Sequence, residues 1–148
     1  MPAPRLPRLF LLAVLTLPAV AVAGEYISIG AGQVNIRTGP GTDHPRKWVV
    51  TEGYPLRVLE ERDRWVRVVD HEGDKGWVAA KLLSQRRTVI VTKSLVNVRR
   101  GPGTGNRVVF QAEEGVVLDY LDERSGWVEV RHNQGASGWV HQDLVWGD

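Results

Sequence analysis

Cysteine is absent from the 148-residue chain. That one absence removes disulfides, thiolate metal sites, a cysteine nucleophile and a lipid-modified cysteine together. Long runs of basic charge are missing too. Nothing exceeds the pairs Arg86-Arg87 and Arg99-Arg100, so no element tracks a phosphate backbone and no nucleic-acid partner is expected. Helical periodicity nowhere outlasts one or two turns. No serine stands in a Gly-x-Ser-x-Gly setting and no histidine pair has metalloprotease spacing. Glu60-Glu61 and Glu113-Glu114 are sequence neighbours. In a strand they point to opposite faces, which suits acid–base work poorly. The sequence therefore reads as non-catalytic, with no metal and no cofactor.

What is present is turn-forming and aromatic. Sixteen Gly and 8 Pro favour an all-β chain of short strands, and 6 Trp is a heavy load for this length. At the N-terminus, Arg5 and Arg8 precede an apolar run from Leu9 to Ala23 that closes on Ala21-Val22-Ala23 before Gly24. This is the layout of a cleavable export signal over residues 1–23, cut after Ala23. The run is about 15 residues and contains Pro18, whereas a spanning helix needs about 20, so no stable membrane anchor is expected. The mature chain is expected to be periplasmic or secreted. Removing Arg5 and Arg8 from 19 basic residues leaves 17, equal to the 17 acids. Steering by net charge is then weak.

The remainder is one unit written twice at an offset of 62 residues without a gap. Val34-Asn35-Ile36-Arg37-Thr38-Gly39-Pro40-Gly41-Thr42 matches Val96-Asn97-Val98-Arg99-Arg100-Gly101-Pro102-Gly103-Thr104. Trp65-Val66 matches Trp127-Val128, and Gly76-Trp77-Val78 matches Gly138-Trp139-Val140. The units divide as 24–85 and 86–148. A strand is expected over Tyr26–Ile29, a short one at Asn35–Arg37, another over Lys47–Thr51 and a hairpin of Pro55–Glu60 with Trp65–Val69. A closing strand over Lys75–Val78 and a helical turn near Ala79–Leu83 complete the unit. A connector as short as Ser84-Gln85-Arg86 restrains the two units relative to each other.

This order of motifs resembles the bacterial Src-homology-3 (SH3b) domain, over nearly all of both copies, in the exported tandem form found in Gram-negative bacteria. The resemblance implies two tandem SH3-like small β-barrels. It also implies a non-catalytic envelope role, either recognising cell-wall (peptidoglycan) peptides or docking as an adaptor on another envelope protein. The oligomeric state stays open.

Residues used in both copies point to packing. Trp65, Trp77, Trp127 and Trp139 are expected in core or half-core positions. Gly39, Pro40 and Gly41, with Gly101, Pro102 and Gly103, read as a tight turn in which glycine supplies the dihedrals. Asn35 and Asn97 are expected to bond back to the local backbone and brace it. Arg37 and Arg99 are candidates for a carboxylate ligand, or for pairing with acids such as Glu61 and Glu123. Aromatics found in only one copy are not required by the shared barrel. Tyr26, Tyr54 and Trp146 are therefore ligand-contact candidates, or alternatively fill the interface between units. Asp70-His71-Glu72-Gly73-Asp74 reads as a solvated hairpin turn rather than a calcium loop, since its counterpart at residues 132–136 lacks every acid. His141-Gln142-Asp143 reads as a solvated loop.

Overall fold

The computed structural model describes residues 21–148; the expected export signal lies outside the described residues except for its last three positions. The first unit holds β1 (Tyr26–Ile29), β2 (Gln33–Arg37), β3 (Arg46–Thr51), β4 (Pro55–Arg62), β5 (Trp65–Val69), β6 (Lys75–Ala79) and β7 (Leu83–Ser84). The second holds β8 (Thr88–Val91), β9 (Leu95–Arg99), β10 (Val108–Glu113), β11 (Val117–Arg124), β12 (Trp127–Arg131), β13 (Ser137–His141) and β14 (Val145–Trp146). Every strand recurs 62 residues later with the same bounds, as does a single 3₁₀ turn at Ala80–Leu82 and Gln142–Leu144. Each unit is one antiparallel sheet, in the orders β3-β2-β6-β5-β4-β1-β7 and β10-β9-β13-β12-β11-β8-β14. The described residues are all-β, as two tandem SH3-like barrels. The short strands β7 and β14 are additions to the expected set. They follow the 3₁₀ turn and pair with the first strand of their own unit.

Alternation sets the inside and outside of each barrel. Val34 and Ile36 of β2, Val66 and Val68 of β5, and Val78 of β6 are buried in the first core. Val96, Val98, Val128, Val130 and Val140 repeat them in the second. The eight-residue strands β4 and β11 each carry a register break, between Val58 and Glu60 and between Tyr120 and Asp122. Such a bulge bends the strand, so one hairpin serves both halves of a curled sheet. The glycine of Gly-Trp-Val permits closure. A Cβ on Gly138 would lie 2.6 Å from the Arg99 carbonyl oxygen, and one on Gly76 would run into Ile36. Trp77 and Trp139 then face outward. Both are 8% exposed, because Arg62 and Arg124 lie over them at 5.3 and 5.4 Å. Trp65 and Trp127 are half-buried.

The Gly-Pro-Gly turns work differently from the expectation. Gly39, Gly41 and Gly101 stay out of the left-handed backbone region, which of these four glycines only Gly103 enters, at φ 149°. Their use is room. A Cβ on Gly39 would sit 2.5 Å from the His44 ring, and one on Gly101 3.0 Å from the Asn106 side chain. Nor do Asn35 and Asn97 brace the turn; in the second barrel Asn106 does so, its Nδ2 donating to the Gly103 carbonyl at 3.3 Å. Asn35 lies exposed on β2, and Asn97 Oδ1 accepts from Gln111 Nε2 at 2.9 Å across β9 and β10. Strand alternation turns both side chains away from the loop. The arginines brace it instead: Arg37 Nη1 donates to the His44 carbonyl and Arg99 Nη1 to that of Asn106, each at 3.0 Å.

Three residues, 85–87, join the barrels. Ser28 Oγ donates to the Arg86 carbonyl at 2.6 Å, and the buried Thr88 Oγ1 donates to the Gly53 carbonyl at 2.6 Å. Arg86 Nε reaches Asp119 at 2.8 Å. Arg87 stacks over Tyr120 at 4.0 Å and donates to the Gly147 carbonyl at 3.1 Å. Both arginines of the joint are thus engaged within the chain.

Candidate ligand groove

Trp65 opens β5 and stands in register with Ala79, the last residue of β6. Across so small a neighbour the indole face is left uncovered. A groove of about 1090 Å³ forms there, floored by Trp65, Ala79, Ala80 and Leu82. Its rim is polar: Asn35 and Arg37 from β2, Glu61 and Arg64 from the β4–β5 hairpin, and Lys81 from the 3₁₀ turn. Both charge signs are present, so the rim suits a zwitterionic ligand, with an aromatic surface beneath it. At the N-terminal side, the Ala21 amide donates to Glu61 Oε2 at 3.1 Å.

The hairpin that carries the rim is a two-residue turn. Asp63 and Arg64 both have positive φ, 48° and 68°, and Ser125 and Gly126 repeat this at 51° and 83°. That is the backbone of the turn type matched to strand twist. It aims Arg64 toward the groove.

The second barrel fills the equivalent place. His141 replaces Ala79, in register with Trp127. Its ring packs edge-on to that indole, centroids 5.2 Å apart. His141 Nδ1 also accepts the Asp143 amide at 3.2 Å, capping a short turn whose Gln142 and Asp143 are exposed.

With both barrels and the groove in place, two segments, residues 30–85 and 92–147, match the family model described as the bacterial SH3 domain. The chain belongs to the bacterial SH3 domain family. It is similar to the candidate N-acetylmuramoyl-L-alanine amidase YrvJ of Bacillus subtilis (strain 168), at 29% identity over 136 residues. That alignment takes in 84% of this chain and 26% of YrvJ, so the chain spans about a quarter of that relative. Among solved structures, an NlpC/P60 family protein from Bacillus cereus ATCC 10987 aligns over 82% of this chain and 56% of its own, at 15% identity and TM-score 0.39. The endolysin LysPBC5 CBD aligns over 87% and 96%, at 18% identity and TM-score 0.31.

The residues singled out in the sequence fall in different places. Arg37 lies on the groove rim and Arg99 braces the second barrel's turn. Tyr26, Tyr54 and Trp146 come together at the seam between the barrels, and none of them lines the groove. Tyr26 meets Trp146 edge-on at 5.1 Å, and the His71 ring lies 6.4 Å from Trp146. The Tyr54 hydroxyl is 3.2 Å from His71 Nδ1. Burial, then the Asp70, Glu72 and Asp74 carboxylates, push the Tyr54 phenol above its ordinary range. Asp70 itself is buried, not solvated. Its Oδ1 accepts the Glu72 and Asp74 amides at 3.0 and 2.9 Å. His132 Nδ1 takes this place in the second copy, accepting from Gln134.

Ala79, Ala80, Arg64 and Lys81 were not legible as a site. The available signal was the contrast of Ala79-Ala80-Lys81 with His141-Gln142-Asp143 in otherwise matching copies.

Proposed function

We propose that the protein is an exported, non-catalytic module that binds peptidoglycan peptides in the groove of its first barrel. The observation that carries this reading is the open Trp65 face within a bacterial SH3 barrel, rimmed by both cations and carboxylates. Wall peptides are extended and carry carboxylates and free amines together. Arg64 and Lys81 suit the former, Glu61 and Asp63 the latter, and Asn35 suits the peptide bonds. The likeness to YrvJ, whose name specifies the N-acetylmuramoyl-L-alanine linkage, supports the same class of ligand. Export follows from the leader expected at residues 1–23. Cleavage after Ala23 also removes the Ala21 contact with Glu61. The test is sedimentation with purified sacculi: mature protein pellets with them, and Trp65→Ala stays in the supernatant. Wild type remaining in the supernatant at low salt defeats the reading.

A second reading, an adaptor docking on an envelope protein, is favoured by the second barrel's edge. Strand β10 ends its sheet and exposes Val108 and Val109, where the first barrel has Arg46 and Lys47. An edge that begins with two exposed valines invites another strand. Capture of a partner that survives Trp65→Ala but fails with Val109→Lys selects this reading.

A further inference from the structure

We propose that the first barrel carries a second, separate binding site, an anion pocket for a phosphate monoester group. It lies on the outer face of β3–β6, at the opposite end of β6 from the groove, and has a volume of about 320 Å³. Lys47 of β3, Arg62 of β4, Arg67 of β5 and Lys75 of β6 line it, over the buried ring of Trp77.

Glu60 is the one acid among its lining residues. It is shared by both arginines, with Arg62 Nη2 at 3.0 Å and Arg67 Nη1 at 3.9 Å. Lys47 Nζ donates to the Lys75 carbonyl at 2.6 Å, a contact that holds the ammonium in place without neutralising it. The pocket thus keeps an excess of positive charge, delivered as two guanidinium forks and two ammonium groups. A dianionic oxyanion matches that set, with oxygens enough for several donors. The size admits a phosphate with a small attached group and not an extended chain.

The second copy shows that the barrel does not need this charge. At the equivalent positions it has Val109 for Lys47, Glu129 for Arg67 and Ser137 for Lys75, with Asp122 for Glu60. There Asp122 and Glu129 face each other in register, two like charges where the first copy pairs Glu60 with Arg67. Such an arrangement leaves this face without an excess of positive charge to hold an anion. With Arg124 kept for Arg62 and Arg100 in place of Thr38, cations and acids balance on this face of the second copy, whereas the first copy keeps an excess of positive charge.

The experiment is an amide and indole NMR titration of the full chain with glycerol 1-phosphate at constant low ionic strength. Saturating shifts at Gly76 and the Trp77 indole are expected. The double variant Arg67→Glu/Lys75→Ser, built from the second copy's own residues, weakens binding by about tenfold or more with an unchanged melting temperature. The reciprocal Val109→Lys/Glu129→Arg/Ser137→Lys installs binding at Trp139. Co-sedimentation with phosphatidic acid vesicles, against phosphatidylcholine alone, separates sources. Pelleting that the double variant loses assigns a lipid headgroup. No pelleting with intact titration shifts assigns a soluble monoester. Shifts that fail to saturate, that spread equally over both barrels, or that persist in the double variant overturn the proposal. Trp65→Ala leaves this binding intact, so the groove and the pocket fail independently.

Discussion

His141 lies edge-on to Trp127, with ring planes at 87° and Nδ1 accepting the Asp143 amide. One substitution between the copies, alanine at 79 against histidine at 141, thus decides whether the Trp that opens the fifth strand of its barrel is free or covered. Replacing His141 with alanine uncovers Trp127. Acrylamide quenching of indole fluorescence increases, and wall-peptide stoichiometry rises from a single peptide per chain toward a pair. Loss of the ring pair costs about 0.5–1.5 kcal/mol of stability. Unaltered quenching and stoichiometry refute the plug.

Thr88 links the barrels through the Gly53 carbonyl, in a buried position. Thr88→Val keeps the shape and removes the donor, leaving that carbonyl unpaired. The expected loss is about 1–3 kcal/mol in urea unfolding. Thr88→Ser retains most of it. Solution scattering should show a broader size distribution for the valine variant alone; an identical profile means the seam holds without this bond.

How much of this was readable in advance follows from what each feature depends on. Strand positions depend on local alternation and turn residues, and a period of 62 supplied two readings of each. The two-residue strands β7 and β14 were hidden because so short a segment has no period to display. The Gly-Pro-Gly turns misled because glycine serves two purposes. Sequence suggests dihedral freedom, whereas at Gly39 the close approach of His44 is what excludes a side chain. The groove was hidden for a third reason. Trp65 and Ala79 lie 14 residues apart, and only strand register puts them side by side.

Closure of each barrel depends on Gly76 and Gly138. An added methyl at 138 meets the backbone carbonyl of Arg99 and the Val98 side chain, neither of which can rotate away. Gly138→Ala and Gly76→Ala should each cost about 1–3 kcal/mol, as overpacked cores do. Thermal melting measures it. A neutral substitution at either site would mean that β2 or β9 shifts outward without penalty.

Tyr54 supplies the pH dependence. Its phenol is raised above the ordinary value of about 10, by burial first and by the Asp70, Glu72 and Asp74 carboxylates after it. A folded value above the unfolded one means the fold favours the neutral form. The contribution is complete below the ordinary value and is lost as pH climbs through the raised one. Absorbance at alkaline pH should show one phenol ionising late, coincident with unfolding. In Tyr54→Phe that late step vanishes and the alkaline unfolding midpoint moves upward.

Arg64 holds a left-handed backbone at φ 68°, where the second copy has Gly126 at 83°. A side chain in that region costs about 1–2 kcal/mol, and glycine removes the cost while giving back about 0.5–1 in unfolded-chain entropy. Arg64→Gly is therefore expected to stabilise the first barrel by a fraction of a kcal/mol up to about 1. The same change strips a cation from the groove rim. If Arg64 is kept for a ligand carboxylate, the variant melts higher and binds sacculi less well, and amidating the peptide carboxylates erases the difference between variant and wild type. A variant that gains stability and keeps full binding would show that strain at Arg64 serves something other than the groove.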